Sequence, residues 1–317
     1  MSQEFYTPME VADLLKIKKS TVYELIKRGE LKCIKVGKQF RVLKNDLDLY
    51  LNHDMVRPTS NLTSQEEQIN QEDRDLIQSQ SGRSTNRGVV VCGQDILLEI
   101  LCNYMSRELK NTPIYRSYQG SYNGLYALYQ DEVDVATVHL FDGVTGEYNK
   151  DYVKRMLPGT RYIRVHLVNR MQGFYVQSGN PKNIRGFRDL SRSDVTMINR
   201  EKGSGTRILL DEKLLSHGIH KSQVKGYERE VNSHLACAGA IARKSADVSI
   251  GIERISKEMA GVEFIPIQME SYDLVVKEEY AGSDWFKSIL GILKHSDFRA
   301  EIMGMSGYDI TDMGEVI

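Results

Sequence analysis

Read for its apolar positions, the chain falls into three stretches. In residues 1–54, Val11, Leu14 and Leu15 recur three and four apart, and Val22, Leu25 and Ile26 repeat that spacing. Both sets predict short amphipathic helices. Thr7 is placed to cap the first helix, which starts at Pro8, because proline is tolerated in a first turn. The second helix begins at Lys19 or Ser20 and stops at Gly29, a C′ glycine. LKCIKVGKQFRVL then alternates apolar and polar residues about Val36-Gly37-Lys38, the pattern of a hairpin. Asn45 is placed to cap a last helix, DLDLYLN.

The pattern fails over residues 55–87, a polar run without an aromatic residue that cannot bury a core. Leu62, Ile69 and Leu76 lie seven apart there, and Ser64 with Glu67 has capping-box spacing. The stretch is either a short dimerising helix over 62–80 or a disordered tether. From Val89 apolar runs return: VVVC, VDVATVHLF, YIRVHLV, DVTMI, DVSIGI and YDLVV, separated by helical stretches. That alternation predicts an α/β domain with a largely parallel sheet. Its length and order suggest two lobes. Lobe 1 is expected over about 88–170 and 272–317, and lobe 2 over about 171–271, with a crossing near 168–178 and a return near Ser271–Val275.

Composition narrows the class. The 317 residues allow two or three folding units. No apolar run approaches the ~18 residues of a membrane span, and MSQEFYTPME lacks the regions of a signal peptide, so a cytoplasmic location is expected. Cys33, Cys92, Cys102 and Cys237 form no CxxC pair and read as reduced core thiols. The seven histidines are scattered and form no HExxH pattern, so no metal site is expected.

Net charge is −1, yet residues 16–44 hold ten basic and two acidic residues. Such a local cluster suits phosphate neutralisation on DNA. The run YTPMEVADLLKIKKSTVYELIKRGELKCIKVGKQFRVLKNDLDLYL resembles the excisionase-type winged helix-turn-helix heads related to the MerR family. The resemblance implies that the second helix and the wing touch DNA through Ser20, Thr21, Tyr23, Lys27, Arg28, Lys38 and Arg41.

Ligands in open α/β sheets bind where strands run into helices. Four such turns carry small or hydroxylic residues: Gly93-Gln94-Asp95, Gly120-Ser121-Tyr122, Gly203-Ser204-Gly205-Thr206 and Ser233-His234. Helix starts of this kind offer N–H groups and a positive dipole end to anions. GSGTR lacks P-loop spacing, and no GxSxG elbow or nucleophile set is evident, so no catalytic residue is assigned and a non-enzymatic protein is expected.

The motifs GSYNGLYAL, DVDVATVHLFD, RMQGFYVQSGNP, NREKGSGTRILLD, SHLACAGAIARKSADVSIGI and VEFIPIQMESYDLVV resemble the type 2 periplasmic-binding-protein fold. They are similar above all to the binding-protein-like domain found behind helix-turn-helix heads and beside molybdopterin-biosynthesis domains. This resemblance implies a sensor of molybdate or a related oxyanion. NREKGSGTR is also similar to tungstate-binding transport proteins, which carry an Arg and a Thr six residues apart, here Arg200 and Thr206. The ligand-binding set expected on these grounds is Gly93, Gln94, Asp95, Ser121, Tyr122, His139, Arg200, Ser204, Thr206, Arg207, His234 and Tyr272.

Several roles stay open. Asp95 is either a helix N-cap aimed away from the pocket or a carboxylate paired by Arg200 or Arg207. His139 and His234 are pocket donors or satisfied core residues. Tyr272 closes the cleft with its hydroxyl or packs in the hinge. The expected whole is a one-component transcription regulator, a homodimer on a DNA operator, whose cleft closure on molybdate or tungstate alters DNA binding. The alternatives are a molybdopterin-type or other organic effector, or an enzyme tethered to DNA.

Overall fold

The computed structural model describes residues 5–15, 19, 22, 23, 26, 33–36, 39–44 and 88–317. The chain divides into two compact units, 1–79 and 80–317. In the first, β1 (Phe5–Tyr6), β2 (Ile34–Val36) and β3 (Gln39–Leu43) form an antiparallel sheet in the order β1-β3-β2. The expected wing hairpin is therefore joined by a strand that the residue pattern did not announce. Helix α1 (Pro8–Leu15) is capped by Thr7, whose Oγ1 accepts from Glu10 N at 3.2 Å. Glu10 Oε2 accepts from Thr7 N at 2.7 Å, completing a reciprocal capping box.

Val11, Ala12, Val22 and Val42 make the small core of this unit. Leu14, expected on the inner face, is exposed. Pro8, Val11 and Ala12 centre the buried stripe, and Leu14 falls beyond its edge. Lys19, Val22, Tyr23 and Ile26 are helical, and Tyr23 is exposed with its ring 6.1 Å from Phe40. Ser20, Thr21, Lys27, Arg28, Lys38, the last helix of the head and the proposed helix at 62–80 lie outside the described residues.

The second unit is built on a seven-stranded sheet. Its strands are β4 (Val89–Cys92), β5 (Ile114–Ser117), β6 (Val135–Val138), β7 (Tyr162–Gln177), β10 (Val248–Ile252), β11 (Val262–Lys277) and β12 (Tyr308–Asp309), while β8 (Asn199–Arg200) and β9 (Glu230–Val231) pair separately. The order is β10-β7-β11-β6-β4-β5, with β12 also on β7. Only the β4–β5 and β4–β6 pairs are parallel, and the pairings of β7 with β10, β11 and β12 and of β11 with β6 are antiparallel. The sheet is thus mixed rather than largely parallel. The reason is that β7 and β11, 16 residues each, pair along their whole length and carry the chain between the lobes in opposite directions.

Alternation along these strands feeds cores on both faces. Leu274 and Val276 join a core with Val91, Leu98, Leu101, Val165, Ile289 and Phe298, while Val275 turns to one with Leu125, Leu128, Val138 and Val153. At the other end of the ribbon Phe174 and Val176 pack with Leu210, Leu214, Val248 and Ile250, and Tyr175 with Cys237, Ile241 and Ala246. Each buried leucine or isoleucine contributes about 1.5–3 kcal/mol. The helices that matter for the site are α2 (Ile96–Glu108), α3 (Ser121–Tyr129) and α4 (Lys150–Met156) in the first lobe. In the second lobe they are α5 (Gly205–Ser216) and α6 (His234–Ala242). Among the described residues no helix is long and apolar enough to cross a membrane.

Candidate functional site

Four helix N-termini meet at the middle of the long ribbon. Asp95 caps α2, its Oδ1 accepting from Leu97 N at 2.8 Å. Gly120 stands at the N-cap of α3. Ser204 caps α5 and Ser233 caps α6, accepting from Arg207 N and Ala236 N. The first N–H groups of a helix have no partner within it, so all four starts direct donors and positive dipole ends at one place.

That place is a cavity of about 30 Å³ walled by Gly93, Gln94, Asp95, Gln119, Gly120, Ser121, Thr137, His139, Arg170, Arg200, Ser204, His234 and Tyr272. It is large enough for two or three water molecules or one very small ligand. Nine of the twelve residues expected from the sequence line it. Three do not. Tyr122 is exposed and lines a separate groove with Gly203, Arg207 and Tyr227. Thr206 is buried behind the wall, within 3.4 Å of Gln172 Nε2. Arg207 turns away from the cavity, stacking on the Tyr227 ring at 4.0 Å and donating to Glu230 at 2.9 Å and to the Arg200 carbonyl at 3.1 Å. Its amphipathic guanidinium finds an aromatic face and a carboxylate on that side, so it supports the loop of Arg200 from behind.

The residue that the turns could not reveal is Arg170. It lies midway along β7, opposite Glu270 on β11. Its Nη1 donates to Asp95 Oδ2 at 2.5 Å, its Nη2 stands 2.6 Å from Glu270 Oε1, and its plane lies over the Tyr272 ring at 4.0 Å. Asp95 is therefore an N-cap and a cavity wall at once. Its cationic partner is Arg170 rather than Arg200 or Arg207, and Tyr308 donates to it at 2.7 Å. Two carboxylates raise the Arg170 pKa although its burial alone lowers it.

Glu270 also contacts His139 Nδ1 at 2.6 Å and accepts from Gln172 Nε2. Burial pushes its carboxyl up, and the Arg170 and His139 contacts outweigh that and hold it below its ordinary value. Ser121 Oγ accepts from His139 N at 3.2 Å, which locks the end of β6 to the start of α3. The Tyr272 hydroxyl pairs with Thr137 at 2.7 Å, so Tyr272 is a packed floor under Arg170. His234 has its Nδ1 buried without a hydrogen-bond partner. Burial first, then the Arg200 and Arg170 charges, hold its pKa well below the ordinary 6.5, so the ring is a neutral wall.

Arg200 closes the opposite side. Its Nε and Nη2 donate to Glu201 at 2.8 and 2.9 Å, and Nη2 also donates to Gln94 Oε1. Gln94 Nε2 donates to Glu201 Oε1 at 3.0 Å. Tyr122 N to Gly203 O at 2.9 Å and Tyr152 to Glu212 at 3.1 Å add further bonds between the lobes. Backbones approach closely here: a Cβ on Gly120 would lie 2.7 Å from both Gly203 O and Ser204 Cα.

Comparisons with known proteins agree with this architecture. A family model described as a PBP superfamily domain matches residues 102–294, and one described as a helix-turn-helix domain matches residues 5–54. The chain is 40% identical over 314 residues to YvgK, an uncharacterized protein of Bacillus subtilis (strain 168), covering 98% of this chain and 97% of that one. A Clostridium pasteurianum protein described by its place in the 5′ region of a ferredoxin 2Fe-2S gene is 39% identical over 110 residues, covering 35% of this chain and 97% of its own length.

Among solved structures, an ABC-type phosphate transport receptor from Vibrio cholerae aligns with a TM-score of 0.50 at 13% identity, over 70% of this chain and 99% of its own. A putative phosphate ABC transporter substrate-binding protein from Clostridium perfringens, with bound phosphate, aligns with a TM-score of 0.52 at 12% identity over the same shares. These likenesses establish the fold.

Proposed function

This chain belongs to the PBP superfamily, and from that premise we propose that it is a DNA-binding transcription regulator whose two-lobed domain senses a small oxyanion of the molybdate or tungstate type. The reading rests on one observation above others: four helix N-termini and Arg200 converge on a single cavity of about 30 Å³. Distributed N–H donors and dipole ends, with one guanidinium, suit a compact anion better than any neutral solute. The small volume favours this reading over that of an organic effector. Pockets for drug-sized ligands measure roughly 300–1,000 Å³, well above the space enclosed by the four helix starts.

The regulator acts without catalysis. Ligand binding between the lobes favours the closed form in proportion to its differential affinity for the two forms. Closure then changes the spacing of two heads in a cytoplasmic homodimer, and with it the fit to a two-fold operator.

Calorimetric titration of ligand-free protein with molybdate, tungstate, phosphate and sulfate tests the effector. Phosphate is included because two proteins of similar fold are phosphate receptors. Heat of binding from one or more is expected, and no heat from any of the four overturns the assignment.

A further inference from the structure

We infer that Glu201 serves as an internal anion on Arg200, and that a small oxyanion binds by exchanging with it. This rests on the oxyanion reading of the same cleft and names the step that sets its affinity.

The donor set that an oxyanion needs is already assembled and already answered. Glu201 accepts from Arg200 Nε and Nη2 at 2.8 and 2.9 Å, the bidentate geometry in which a guanidinium takes a carboxylate or a tetrahedral anion alike. Gln94, reaching from the other lobe, adds its amide N–H to the same carboxylate at 3.0 Å. The two guanidinium groups on the cavity walls, Arg170 and Arg200, are answered by three carboxylates, Asp95, Glu201 and Glu270. An anion entering that set meets a net negative ring unless one carboxylate leaves.

Only one of the three has a way out. The side chains of Asp95 and Glu270 are 3% and 0% exposed and are held by the hinge, whereas that of Glu201, bonded to the wall residues Arg200 and Gln94, is 19% exposed. The backbone of Glu201 is pinned by its carbonyl, which accepts from Ser204 N at 3.2 Å and Ser204 Oγ at 2.9 Å. The side chain can therefore swing to water while the turn before α5 keeps its shape. Gln94 Nε2, a neutral donor, serves a ligand oxygen as well as it serves Glu201.

The sign of one substitution decides the matter. In calorimetric titrations of the full chain with molybdate, tungstate, phosphate and sulfate, Glu201→Gln is expected to bind the preferred anion on the order of tenfold more tightly than the wild type, the worth of a charged hydrogen-bond pair. Glu201→Asp keeps the charge on a shorter arm and is expected to fall between them, which also covers a Glu201→Gln chain that melts early. If Glu201 merely held Arg200 in place, both substitutions would loosen binding. Equal or weaker affinity in Glu201→Gln, with the wild type binding, overturns the exchange and leaves the proposed function standing. Silence from both proteins with all four anions overturns both.

Discussion

Arg170 and Glu270 face each other across the two long strands at the point where both pass from one lobe to the other, and their side chains meet at 2.6 Å. The pair is buried, with Asp95 on its far side and Tyr272 beneath it. It ties the hinge to the start of α2 and to the wall of the cavity. Removing the cation would leave two carboxylates in a dry place. Arg170→Met is therefore expected to destabilise the protein by about 3–5 kcal/mol, as breaking a buried pair does. Thermal melting checks this, and the double variant Arg170→Met with Glu270→Gln should recover part of the loss. An unchanged melting temperature for the single variant would show that the pair does not support the hinge.

Gly120 tests the closeness of the lobes. Its φ of −69° suits any residue, so alanine there adds no backbone strain. The added methyl, however, would lie 2.7 Å from Gly203 O and Ser204 Cα. Gly120→Ala is expected to wedge the lobes apart, raising the radius of gyration in small-angle scattering and weakening ligand binding tenfold or more, with little loss of thermal stability. A closed, fully binding variant would contradict this close approach.

Acid should act in two windows. Folding lowers the His234 pKa below 6.5, so the unfolded chain binds that proton more readily. Stability from this group is present above pH 6.5 and falls as pH drops below it. Glu270 and Glu201 are held below their ordinary 4.5, so their contribution is present above that value and is lost as pH falls further. Urea unfolding across pH 7 to 3 should show both declines. His234→Asn should remove the upper one alone, and an upper decline that persists in that variant would assign it elsewhere.

The head can be tested apart from its operator. Lys27→Ala combined with Arg41→Ala is expected to weaken binding to any 30-base-pair duplex at low salt. The slope of log affinity against log salt should fall by about 0.9 for each phosphate that is no longer neutralised. Fluorescence anisotropy across a salt series reads both, and an unchanged slope would remove these residues from the interface.

Much of the cavity was legible because its residues sit in turns. Gly93-Gln94-Asp95, Ser121, Ser204 and His234 announce themselves by small or hydroxylic residues before a helical period, and helix starts are where an α/β fold gathers its donors. The hinge was not legible in that way. Arg170, Gln172 and Glu270 lie inside apolar strands, and only their cross-strand register makes them neighbours. The one signal was charge inside strand-like runs, Arg170 in VNRMQGFYV and Glu270 with Asp273 in IQMESYDLVV. Arg207 misled for the opposite reason. Its place one residue after Thr206 suggests the pocket, yet a helix turns successive side chains by about 100°, which carries it to Tyr227 and Glu230.

The long pairing of β7 with β11 has a mechanical consequence. Lobes joined by separate peptides can swing like a door, but a hydrogen-bonded ribbon resists and behaves as a leaf spring. Its register slips at two points, between Pro266 and Gln268 and between Tyr272 and Asp273, one on each side of Glu270. Bulges are where such a ribbon bends most easily. The expected motion is a shallow flexure confined to those few residues, with amides of the flanking strand segments protected from exchange whether the lobes are near or apart. A sensor on such a spring trades reach for stiffness, and any signal it sends must be legible in a displacement of small amplitude.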